Sequence, residues 1–133
     1  MSTLIEEFKR EHSKIIETLK EVKELDIHTK KGKARLMSVK ASLLEHLKEE
    51  DEKFYPVLRK EAEQNKELKE ELEIFAKDWG NVSSVAFEIF DKYDKGVLEE
   101  ESSWDFETLF TTLRHRMKNE EDFLYGEYEK IDR

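Results

Sequence analysis

Apolar residues recur every three or four positions along almost the whole chain, and in several of the resulting stripes a charged or imidazole side chain takes a core place. Steps of three and four collect on one face of an α-helix, at ~100° per residue. The first stripe is Ile5, Phe8, His12, Ile15, Leu19 and Val22. The second is Leu36, Val39, Leu43, Leu47, Glu50, Phe54 and Val57. A third runs from Leu68 through Leu72, Phe75, Trp79, Val82, Ala86 and Ile89 to Tyr93, and a fourth from Phe106 through Leu109, Phe110, Leu113, Met117 and Glu120 to Leu124. Stripes of this width bury only against one another. With short connections between them, they predict an all-α chain folded as an up-down-up-down antiparallel four-helix bundle, a single domain over 1–133.

Local signals divide the chain at matching places. Thr3-Leu4-Ile5-Glu6 has the form of a capping box for the first helix. Thr29 is placed to cap a second helix from about Lys31 to about Glu63, with Pro56 inside it as a source of a kink. The periodicity breaks around Gln64-Asn65-Lys66. Lys95-Gly96 closes the third helix, and Ser102 or Ser103 caps the fourth.

Composition narrows the function classes. Charged residues make up 43% of the chain and hydrophobic ones 37%, which suits amphipathic helices with solvated outer faces. The net charge of −9 argues against nucleic acid, whose phosphates need clustered Lys and Arg. No apolar run approaches ~20 residues, so no membrane span is expected. Ile5 is followed at once by Glu6 and Glu7, which breaks any signal-like apolar core and suits a cytoplasmic location. Zero cysteines remove disulfides, thiolate zinc sites and iron–sulfur clusters together. No Ser/His/Asp or Cys/His arrangement and no Gly-rich phosphate loop is present.

The polar interruptions are then the informative residues. Glu50 falls on its apolar line and His46 sits one turn before it, ~40° away on the same face. An ionised carboxylate is seldom buried without a partner. His12 and Glu120 occupy core places on other helices, so a metal ion is the leading occupant among them. His28 belongs to the first connection and is expected to be structural or exposed.

A faint repeat supports pairing of the acids. His46 to Tyr55 reads HLKEEDEKFY and Arg116 to Tyr125 reads RMKNEEDFLY, so that Glu50 matches Glu120 and Tyr55 matches Tyr125. Carboxylates at matching depth on facing helices are what dinuclear sites in bundles use. His46 is matched by Arg116, which does not ligate metals but can pair bidentately with a carboxylate. Arg116 and the histidines therefore offer a metal-free way to neutralise both acids. His115 lies five residues before Glu120, ~140° away in a straight helix, and needs a π-bulge to turn inward. Tyr55 and Tyr125 are expected to pack at the bundle end.

These residues resemble the hemerythrin-like, or HHE cation-binding, domains. The resemblance runs through Glu11-His12, the H-x-x-x-E-x-x-x-F-Y-P run from His46 to Pro56, and the acidic-aromatic segment from Glu120 to Tyr125. It implies a four-helix bundle with a non-haem diiron centre, His12 and His46 as nitrogen ligands, and Glu50 and Glu120 as bridging carboxylates. His115 matches the His-to-acid spacing of oxygen-binding members, and Arg116 stands where members that use H-x-x-x-E twice have His. Those oxygen-binding members carry an H-x-x-x-H pair on the third helix; this chain has no His there, with Asp78 at the stripe edge as the nearest substitute. The expected cofactor is iron, as one or two ions, with manganese or zinc as alternatives. A single ion, with Arg116 in place of the second, is among these readings. The expected function is to bind or sense a small ligand such as oxygen, nitric oxide or peroxide. A metal-free regulatory or protein-interaction module is the alternative, and a diiron oxidase or peroxidase the third reading.

Overall fold

The computed structural model describes residues 3–94 and 102–131, without the side chains of 78, 80–83, 85, 93, 94 and 102–105. Its described elements are all helical: α1 Thr3–Leu25, α2 Lys30–Glu49, α3 Tyr55–Ala62, α4 Lys66–Asp94, α5 Ser102–Asn119 and α6 Tyr125–Ile131. A π turn at Glu50–Phe54 carries α2 into α3, and another at Glu120–Leu124 carries α5 into α6. Among the described residues, no helix is long and apolar enough to cross a membrane.

The first connection shows how the sequence closes a helix and opens the next. Asp26 adopts a left-handed φ of 69°, tolerated by Asp better than by most residues. Its carboxylate accepts from the His28 backbone N–H at 3.0 Å and meets His28 Nδ1 at 2.7 Å, so His28 serves this turn. Thr29 caps α2 by accepting from the Gly32 N–H at 3.0 Å. A side chain at position 32 would collide with the Asp26 carbonyl, which explains an otherwise poor helix former in the first turn. Asn65 caps α4 in the same manner, accepting from the Leu68 N–H at 3.2 Å.

Helix α1 packs along α2, α4 packs against α3 and α5, and α3 meets α6. Among the described residues, the buried apolar side chains form two clusters. One joins Ile15, Leu19, Leu36, Leu43, Leu109 and Leu113 with their neighbours; the other joins Ile5, Phe8, Phe54, Leu58, Leu124 and Tyr125. His12, Glu50 and Glu120 fall in sequence between the two sets on their own helices. The polar residues therefore form a layer between two apolar blocks.

Two local expectations change. The irregularity near Pro56 is a π turn that precedes it, and Pro56 itself stands in the first turn of α3. Gly126 holds the matching place after the second π turn, so proline does not create this feature. Thr3, expected to cap the first helix, is itself helical. Lys95-Gly96 lies outside the described residues. So do the side chains of Ser102 and Ser103, although α5 starts at Ser102.

Candidate metal centre

Each π turn solves a problem of register. Glu50 and Tyr55 are five residues apart, which in a straight helix would set them ~140° apart. Widening one turn aligns i with i+5. The Tyr55 N–H bonds to the Glu50 carbonyl, and the Tyr125 N–H to the Glu120 carbonyl. Both acids and both tyrosines are thereby buried: Glu50 0%, Glu120 0%, Tyr55 7% and Tyr125 1% exposed.

Four buried side chains converge between the apolar blocks. One ligand atom from each of His12, His46, Glu50 and Glu120 lies within 4.8 Å of all the others. His12 Nε2 is 2.9 Å from His46 Nε2 and 3.5 Å from Glu120 Oε1. His46 Nε2 is 3.3 Å from Glu50 Oε1. Two imidazole nitrogens at 2.9 Å need a proton between them, or a cation in the proton's place. The His46 Nδ1–H donates to Glu11 Oε1 at 2.7 Å, which fixes the ring with Nε2 inward. His12 Nδ1 lies 3.9 Å from the Glu121 carboxylate.

The tyrosines cross between the two halves. The Tyr55 hydroxyl donates to Glu120 Oε2 at 2.7 Å. The Tyr125 hydroxyl lies 3.2 Å from Glu50 Oε2 and 3.0 Å from His12 Nε2. Burial and the nearby carboxylate charges push both hydroxyls far up, so they stay protonated donors. Packing at the bundle end was the expectation for these residues. The π turns, which bring position i+5 round to i, are why they reach the centre instead.

Arg116 does not form the two-pronged pair expected of it. A single nitrogen, Nη2, lies 3.4 Å from Glu50 Oε1 and 3.4 Å from Glu120 Oε2. The guanidinium carbon stands 3.7 Å from the Trp79 ring centroid and 5.3 Å from that of Phe75. These rings of α4 hold the guanidinium in place while one nitrogen reaches both acids.

Protons divide unevenly in this cluster. Burial and the Glu120 charge raise Glu50 to about 7, with His46 opposing the rise. Burial also penalises Glu120, but His12 and Arg116 outweigh it and hold that carboxyl well below the usual range. Burial alone would lower His46; bonds and charge from Glu50, with Glu11 and Glu120, raise it to about 9.

The residues present fit a cation. Among the described residues, Glu120 Oε1 and His12 Nδ1 are buried without a hydrogen-bond partner, and His12 Nε2 is at the outer limit of bonding distance from that oxygen. The donors are imidazole and carboxylate, a mixed set suited to iron or manganese.

The remaining candidates fall elsewhere. His115 is exposed: the π turn starts at Glu120, after the His115-to-Glu120 interval, so nothing rotates it inward. Instead it lines a surface cavity of about 240 Å³ with Phe75, Trp79, Thr111, Thr112, Arg116 and Asn119. Asp78 belongs to α4, but its side chain lies outside the described residues. Glu11, Tyr55 and Tyr125 are the residues that sequence reasoning missed. The Glu-to-Tyr spacing of five, present twice, was the available signal for the tyrosines.

The family model described as the hemerythrin HHE cation binding domain matches residues 3–128. No curated protein and no solved structure matches the chain.

Proposed function

Since the chain belongs to the hemerythrin HHE cation-binding domain family, we propose that His12, His46, Glu50 and Glu120 hold a transition-metal ion, iron first, and that the loaded site binds or senses a small ligand such as oxygen or nitric oxide. The observation that carries this is the convergence of four buried donors from α1, α2 and the starts of both π turns, with a carboxylate oxygen left unbonded among them. When bound, the metal would supply an open position for a small ligand. The chain does the rest. Glu11 holds the His46 ring, Tyr55 and Tyr125 present hydroxyl hydrogens at the acids, and Phe8 and Phe54 close one side against water. We take α2–α3 and α5–α6 as continuous rods that, with α1 and α4, make an up-down-up-down four-helix bundle forming one domain over 1–133. A surface cavity of about 240 Å³, lined in part by Phe75, Trp79 and Arg116, lies beside the centre.

Metal analysis of protein purified under air and under nitrogen tests this. Substantial iron after anaerobic loading is expected, together with a visible spectrum that changes on adding nitric oxide. Less than ~0.2 equivalents of any transition metal after such loading would overturn it. A second reading has its own observation: Arg116 already contacts both acids, so the His/Arg/Glu network can stand without metal as a regulatory or protein-binding module. It predicts a melting temperature indifferent to chelator.

A further inference from the structure

We infer that the centre takes one metal ion, and that the Arg116 guanidinium is the fixed cation in the place a second ion would need. This rests on the metal-binding reading above and adds the number of ions. The position comes first. Arg116 Nη2 is equidistant, at 3.4 Å, from one oxygen of each acid. It therefore already occupies one oxygen of each carboxylate, away from the His12 and His46 nitrogens, where a second ion would need its own donors. The donors follow. In the repeat, Arg116 stands where His46 stands in the first half, so the second half offers a guanidinium where the first offers an imidazole. Guanidinium has no lone pair to give.

Charge gives the same answer. Two buried carboxylates are countered by Arg116 and one divalent ion with a single positive charge in excess. A second divalent ion would raise that excess to three in a layer walled by Phe8, Phe54 and Tyr125, and desolvation makes such an excess very costly. Nor is Arg116 free to leave. The Trp79 and Phe75 rings lie against the guanidinium, and both acids hold its Nη2. This also gives α4 a part in the centre: it brings no histidine, but it supplies the aromatic seat on which the guanidinium rests.

The test is metal stoichiometry on the intact chain, with Fe(II) and separately Mn(II) loaded without oxygen, read by elemental analysis and by the Mn(II) electron paramagnetic resonance spectrum. The wild type should saturate near ~1 equivalent with an isolated-ion spectrum. Arg116→His removes the charge and adds a donor, and should move saturation toward ~2 equivalents with an exchange-coupled spectrum. Arg116→Lys keeps the charge and should stay near ~1. Two equivalents in the wild type would overturn the inference while leaving the metal-binding reading standing, and so would Arg116→His that binds no more than the wild type. No metal in the wild type would overturn both. The wild-type stoichiometry and spectrum decide the matter even if Arg116→His does not fold.

Discussion

Glu50 and Glu120 are the same residue type at matching places, yet their neighbours drive their protons apart. Glu50 rises to about 7 from 4.5, and His46 rises to about 9 from 6.5. A group whose folded value is raised lends stability that is complete below its unfolded value and lost as pH climbs through the folded one. Metal-free protein is therefore expected to weaken as pH climbs from 4.5 to 7 through Glu50 and on to 9 through His46. Urea unfolding in chelator across that range checks it, and a flat or rising profile would count against the assignment. Metal affinity should move the opposite way, since the ion displaces those protons. Glu11 is partly exposed and touches the centre only through His46. Glu11→Gln should lower metal affinity about 10- to 100-fold with the fold intact, as titration by calorimetry would show. Tyr125→Phe strips the hydroxyl from Glu50 and His12 and should cost about 1–3 kcal/mol in denaturant unfolding. At this scale the four converging side chains were legible, because His12, Glu50 and Glu120 interrupt apolar stripes and His46 sits one turn before Glu50 on the same face. Glu11 was not, because it lies on the flank of its helix and only the tertiary approach of α2 gives it a partner.

At the scale of elements, the π turns decide what the helices present. They were hidden from periodicity, since Phe54 and Leu124, four residues after each acid, keep the apolar spacing across the turn and are buried. The five-residue step from acid to tyrosine, made twice, was the trace they left. Pro56 and Gly126 follow equivalent turns and play unequal parts. Pro56→Ala should leave metal content unchanged, because the same turn forms ahead of Gly126 without proline. Gly126 has open space where a side chain would go. Gly126→Ala should add about 0.5–1 kcal/mol of stability in thermal or denaturant melts. Gly32→Ala should do the reverse, because its new methyl would strike the Asp26 carbonyl that closes the preceding turn. A stabilised Gly32→Ala protein would refute that account of the first connection.

Over the whole molecule, the all-helical class was legible from spacing alone, while the division of the core was not. Apolar stripes reveal that a core exists; they do not reveal that a layer of acids and imidazoles cuts it in two, since that depends on the depths at which separate helices cross. An ion held in this layer should bind the folded chain in preference to the unfolded one. At a free metal concentration about 100 times Kd it would add about 2.7 kcal/mol, seen as a rise in melting temperature that chelator reverses. The crossed tyrosines carry a mechanical corollary. Each hydroxyl from one rod grips the acid of the other, so sliding α2–α3 along α5–α6 in either direction must release both grips together. The two rods are buckled rather than merely stacked. Loosening one end of the buckle frees the other, and the centre should open as a unit rather than one side chain at a time.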